Sequence, residues 1–201
     1  MTEENTLKNT NVIISLSEEE ERDQISEMIR KAGAENVYFA ENALDLVLFA
    51  MKYDEVIVIT EEKKNVFDLA DTLKYIADRS KYSTISVISD SWSVESRDLL
   101  LGSVDVFLTR PVTERSLMPS MLVVTARKKH MRDLEQEYQE AEESFARDKN
   151  MSFAEHVIMD TLGLSKEGAG EYIKTLAEKH GFDEGEVAKI VYEVLLAGGK
   201  K

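Results

Sequence analysis

Residues 104–149 read VDVFLTRPVTERSLMPSMLVVTARKKHMRDLEQEYQEAEESFARDK. The change of pattern inside this stretch sets the expected architecture. It opens on Val104 to Leu108, which reads as the last strand of an α/β domain, and then turns helical from about Ser116 to Lys149. Pro119 would break a helix interior but is tolerated in a first turn, so the helix is expected to start near Ser116 rather than Thr113. Met131, Leu134, Tyr138, Ala141 and Phe145 recur at alternating spacings of three and four, which is a heptad seam. Charged residues fill nearly everything else between Arg127 and Lys149. A lone helix with so narrow an apolar stripe has little of its own to bury it against. Residues 127–149 are therefore predicted to be a coiled-coil dimerisation helix, and the protein a homodimer. Two heptads also allow the stripe to pack back on its own domains.

The chain before this helix alternates strand and helix signals. Val12 to Leu16 is an apolar run, and Ser17 with Glu20 has the spacing of a capping box. Ile25, Met28 and Ile29 mark a helix face that stops at Gly33. Val37 to Phe39 is a second strand, and Asn42 is placed to cap a helix carrying Leu44, Leu46, Val47 and Phe49. Val56 to Thr60 is β-branched throughout, as suits a strand buried on both faces. Asn65 opens a further helix, Ile85 to Ile88 is the fourth strand, and Ser93 caps a helix ending near Leu101. Five strand–helix units predict a doubly wound parallel sheet over residues 11–126. The polar residues 1–10 are expected to be disordered.

The tail, residues 150–197, reads as three short helices. Ser152 with Glu155 is a capping-box spacing and Gly163 a stop. Ser165 caps a second helix that ends at Gly181. Asp183 with Glu186 forms another box, and the third helix ends at Gly198 and Gly199. Helices this short are marginal alone and must share a core. Gly168 and Gly170 cost about 1 kcal/mol each in a helix, so a close helix approach around Ala169 is expected there. Tyr172 and Tyr192 are read as core.

Composition narrows the function classes. Of 201 residues, 43% are hydrophobic and 32% charged, which suits a globular chain. There is no cysteine, so a disulfide scaffold and cysteine-ligated metals are excluded, and a cytoplasmic protein is expected. The first residues do not resemble a signal peptide, and no apolar run approaches a membrane span. The net charge of −14 argues against a generalist nucleic-acid binder. Residues 1–113 hold 22 acids against 12 bases, whereas residues 150–201 hold 9 against 6, so the tail is only mildly negative.

After the fifth strand come Thr109, Arg110, Pro111 and Val112, and after the fourth comes Ser89. With the five-unit order, Asn11 to His130 resembles the flavodoxin-like (βα)5 receiver domain of response regulators. The resemblance puts Arg110 in the place of the family's lysine and Ser89 at its hydroxyl position. It also implies an acid pair after the first strand that holds Mg²⁺, and an aspartate ending the third strand that takes a phosphoryl group. Here those positions read Leu16 and Ser17, then Ile59 and Thr60. Mg²⁺ demands oxygen ligands that these side chains do not supply as carboxylates. Glu61 or Glu62 would lie nearby, but a glutamate mimics charge rather than accepting phosphate. Asp54 lies at the wrong end of its strand, and Asp90, though on the correct edge, is not at the acceptor place. The expectation is a pseudo-receiver: fold without phosphotransfer, metal, cofactor or enzyme activity. The run Glu18 to Glu21 is read as a solvated helix start favoured by the dipole.

In the tail, Ala154, Val157, Ile158 and Met159, then Gly163, Leu164 and Ser165, then Ala169, Ile173, Lys174, Ala177, Val187 and Ala188 keep one register without a gap. This pattern resembles the ANTAR domain, the RNA-binding module of AmiR/NasR-type transcription antiterminators. Where the family has a Lys-Gly pair, this chain has Glu155 and His156. Losing a lysine and gaining a glutamate beside a phosphate backbone weakens binding. Candidate RNA-contacting residues are Lys149, His156, Lys166, Lys174, Lys179 and Lys189, with His180 beside them. Arg127, Lys128, Lys129, His130 and Arg132 form either a phosphate-contacting patch or a solubilising one.

The resemblances together imply a dimeric antitermination regulator that grips paired hairpins in nascent leader RNA. Without phosphorylation, control would fall to a ligand-sensing protein that sequesters it. The alternative is a protein–protein scaffold or sequestering partner that has lost RNA binding.

Overall fold

The computed structural model describes residues 7–62 and 66–198. The chain divides into two compact units, Met1–Arg132 and Asp133–Lys201. The division falls inside one helix.

The first unit runs β1 (Asn11–Ser15), α1 (Glu19–Lys31), β2 (Asn36–Phe39), α2 (Ala43–Ala50), β3 (Val56–Glu61), α3 (Val66–Arg79), β4 (Thr84–Ser89), α4 (Val94–Leu100) and β5 (Val106–Thr109), followed by α5 (Glu114–Leu162). All strand pairs are parallel, in the order β2-β1-β3-β4-β5. The period-two geometry of strands sorts their side chains into two cores. Val12, Ile14, Ile57 and Ile59 pack with Ile25 and Ile29 of α1 and with Leu117 and Met121 of α5. Ile13, Val56, Val58 and Val87 pack on the other face with Leu46, Leu73, Ile76 and Leu100 of α2, α3 and α4. Burial on both faces is why β3 opens on the unbroken apolar run Val56 to Ile59, and β4 is buried throughout although it carries Thr84, Ser86 and Ser89.

Local signals worked where the partner was a few residues away. Asn42 caps α2 by accepting from the Asp45 amide at 3.0 Å, and Ser93 caps α4 through Ser96 at 3.0 Å. They failed where packing intervened. Ser17 caps nothing: the N-cap of α1 is Glu18, with no side-chain bond. Asn65, the expected cap of α3, lies outside the described residues. The expected disorder of residues 1–10 does not extend to Leu7, which is fully buried and whose amide donates to the Ala32 carbonyl at 3.1 Å. An apolar side chain with a core to enter is ordered whatever the polarity around it.

The long helix starts at Glu114, not Ser116, and carries Pro119 at its sixth residue. Thr113 and Ser116 bond reciprocally at its start, the two amides reaching the opposite hydroxyls at 3.0 and 3.3 Å. Burial of Leu117 and Met121 then holds the first turns against the sheet. It packs on the front unit beyond the expected boundary at 126. Lys128 Nζ donates to Asp105 Oδ2 at 2.7 Å and to the Ser83 carbonyl, and Arg132 pairs with Glu55. These two cations are therefore neither a free phosphate patch nor merely solubilising.

In the second unit, α5 passes Ser152 and Glu155 without a break and ends at Leu162. No glycine or proline between Phe145 and Leu162 interrupts it, so the Ser152–Glu155 box does not form. Gly163, at φ 67°, ends it. The last turns of α5, α6 (Lys166–His180) and α7 (Glu184–Gly198) share one core of Ala154, Ile158, Ala169, Ile173, Ala177, Val187 and Ala188. Ser165 caps α6, and Asp183 with Glu186 forms the reciprocal box at 3.0 and 2.9 Å. A Cβ at Gly168 or Gly170 would meet nothing closer than 3.5 Å, so no tight approach requires either glycine. Tyr172 is exposed rather than core, while Tyr192 packs edge-on against Phe153. Gly199 lies outside the described residues. Among the described residues, no helix is long and apolar enough to cross a membrane.

Candidate functional site

In an open parallel sheet, functional residues gather outside the carboxyl ends of the strands. Here β1 delivers Leu16 and Ser17, β3 delivers Glu61 and Glu62, β4 delivers Ser89 and β5 delivers Arg110. Arg110 is the centre. Its Nε and Nη2 bond both oxygens of Glu21 at 2.8 to 3.1 Å, a bidentate pair. Its Nη2 also meets Glu61 Oε2 at 2.7 Å, and Nη1 lies 3.6 Å from the exposed Asp90. The other Glu61 oxygen accepts the Ser17 amide at 2.7 Å. Glu62 accepts the Ser89 hydroxyl, and its own amide donates to Ile88 at 2.7 Å.

The charges are consistent with this geometry. Burial pushes the Glu61 carboxyl up, but bonds from Ser17 and the Arg110 guanidinium outweigh it and hold the group below the ordinary glutamate range. Burial lowers Arg110, and the carboxylates of Glu21 and Glu61 more than reverse it.

Of the five positions assigned from the resemblance, Ser17, Ser89 and Arg110 meet at this edge. Leu16 is buried in the core of the α1 and α5 face. Thr60 is buried too, its hydroxyl bonded to the Ser15 carbonyl at 3.3 Å. The residue that reaches Arg110 is Glu61, one position on, because consecutive strand residues face opposite ways. Glu21 corrects a second expectation. It is not a solvated member of an acidic run, since its carboxylate is the bidentate partner of Arg110. Nothing in the local sequence distinguishes it from Glu19 or Glu20; only the direction it faces within the first turn of α1 does.

The tail residues are dispersed. Lys149 lies 5.9 Å from the Tyr192 ring centre, Lys166 is 3.8 Å from Glu155, and Lys189 is 3.9 Å from Glu193. His156 is exposed, 3.6 Å from Asp160. Lys174 and Lys179 are exposed on α6, and His180 closes that helix. On α5, Met131, Leu134, Tyr138 and Phe145 are 46%, 50%, 69% and 73% exposed, and Ala141 is exposed with them.

No protein-family model matches the chain, and no curated protein matches it in sequence. Solved structures do. The signal receiver domain of an HD domain-containing protein from Pseudomonas fluorescens Pf-5 is 14% identical, with a TM-score of 0.54, covering 64% of this chain and 96% of that one. A two-component response regulator from Clostridium difficile is 18% identical, with a TM-score of 0.50, covering 59% and 98%. A chain described as adenylate cyclase from Rhodopirellula baltica is 10% identical, with a TM-score of 0.53, covering 65% and 98%. At such identities the likeness is one of fold: the front domain has the flavodoxin-like fold of response-regulator receivers.

Proposed function

We propose that this chain is a regulator of the response-regulator type that works without aspartyl phosphorylation, and that its tail binds hairpins in a nascent leader RNA to keep a terminator from forming. The observation that carries the tail's role is burial. Ala154, Ala169, Ala177 and Ala188, through which the sequence resembles ANTAR modules, all lie in the core that unites the three helices. The front domain's silence is supported by Arg110, which is bound to two glutamates where the resemblance would place the phosphate chemistry. The exposed stripe on α5 supports a homodimer, and two linked tails would gain from effective concentration on paired hairpins. Control then rests on another protein, of the ligand-sensing kind.

Selection from a pool of two-hairpin RNAs with randomised loops, at low salt where phosphate contacts are strongest, tests this reading. Recovery of a binding RNA is expected. Failure to recover one overturns the RNA role. A scaffold or sequestering function is the second reading. It is favoured by the pairing of Lys166 and Lys189 with nearby acids, which reduces the cationic surface left for phosphate.

A further inference from the structure

At the junction of α5, α6 and α7 an open cavity of about 580 Å³ has Met151, Ala177 and Phe182 as its apolar lining. Its size falls within the range of roughly 300–1,000 Å³ usual for small-ligand sites. Phe182 is half-exposed, yet its backbone is fixed: Gly181 takes the left-handed turn at φ 75°, and the amides of both residues donate to the Ala177 carbonyl at 2.9 and 3.0 Å. Its ring has no aromatic or cationic neighbour among the described residues. Arg147 and Lys174 also line it, and neither makes an ion pair among the described residues. Arg147 packs closely over Gly185: a Cβ there would stand 3.0 Å from Asp183 Oδ1 and 3.1 and 3.2 Å from the Arg147 Cγ and Cδ. Glu178, Asp183 and Glu184 also line the cavity, Asp183 being engaged in the capping box with Glu186.

A fixed aromatic face, two uncommitted cations and carboxylate acceptors form a mixed environment. A bare phosphate would be repelled by the acids, and a purely apolar ligand would strand the cations. A nucleotide satisfies all three. Unpaired bases are recognised by stacking on aromatic rings and by hydrogen bonds at their edges, while cations hold the flanking backbone.

We infer that this cavity takes an unpaired base from a hairpin loop, stacked on Phe182, with Arg147 and Lys174 on the phosphates either side. The carboxylates then favour guanine, whose adjacent N1–H and N2–H donors match a carboxylate, over uracil, whose single N–H lies between two carbonyl oxygens. The inference rests on the RNA-binding reading and names the place where that binding occurs.

The test uses the full chain and an RNA recovered from the two-hairpin selection. Phe182→Ala should weaken binding by roughly five- to a hundred-fold, the usual worth of one stacked base. Phe182→Trp should retain it. Arg147→Gln with Lys174→Gln should weaken binding and flatten its salt dependence. Tyr172→Ala removes an exposed aromatic ring on α6, outside the cavity lining, and should change nothing. An abasic loop should lose affinity as Phe182→Ala does, and the two losses should not add. Unchanged helicity and melting confirm that the variants fold. If wild-type protein binds and Phe182→Ala binds equally well, the pocket assignment is wrong while the RNA role stands. If the wild type binds no RNA, both fall.

Discussion

Arg110 and Glu61, 49 residues apart in the chain, meet at 2.7 Å on the carboxyl edge of the sheet. Glu61 is only 9% exposed at its side chain, and it has Ser17 as a second donor. An ion pair here occupies the place where a receiver's phosphotransfer acids would converge. Its removal is the most direct probe of what the front domain has become. Arg110→Ala strands two carboxylates and should destabilise the domain by about 2 kcal/mol, the scale for hydrogen bonds to charged groups. Urea unfolding of both proteins at neutral pH checks it, and equal midpoints would show that the pair contributes nothing.

The same pair sets a pH dependence. The folded-state value of Glu61 lies below the ordinary 4.5, so its contribution is complete above that value and is lost as pH falls through the lowered one. Stability measured from pH 6 downward should therefore decline more steeply in the wild type than in Glu61→Gln. Parallel curves would place the acid sensitivity in other carboxylates.

Incubation with acetyl phosphate and Mg²⁺ should leave the mass of the protein unchanged. A gain of one phosphoryl group on an aspartate, Asp90 being the nearest to Arg110, would reverse the reading of the front domain as silent.

Leu134→Lys with Tyr138→Lys should turn a dimer into a monomer in sedimentation without loss of helicity. Both side chains are at least half exposed in the single chain, so the substitutions remove no internal packing. A wild-type protein that sediments as a monomer at working concentrations would remove the dimer instead.

Gly170→Ala should stabilise the tail by roughly 0.5–1 kcal/mol, because a helical glycine is costly and the nearest atom to a new Cβ is the Glu155 carboxylate oxygen at 3.7 Å. Thermal unfolding followed by helicity would reveal it. A fall in melting temperature would mean that the glycine is needed after all.

The alternation of five strands and helices, the double-sided burial of β3, the caps at Asn42, Ser93 and Ser165 and the Asp183–Glu186 box were all readable from residues close together in the chain. Alternation, β-branching and capping are local physics, decided within one turn or one strand. The heptad spacing on α5 was readable in the same way.

Only the tertiary structure distinguished Glu21 from its acidic neighbours, put Glu61 rather than Thr60 against Arg110, drew Lys128 and Arg132 onto the front domain and ran α5 through a capping box. The partners of Arg110 lie 89 and 49 residues away. Which carboxylate reaches it depends on strand facing and helix phase after the whole sheet has closed, and no local pattern records that.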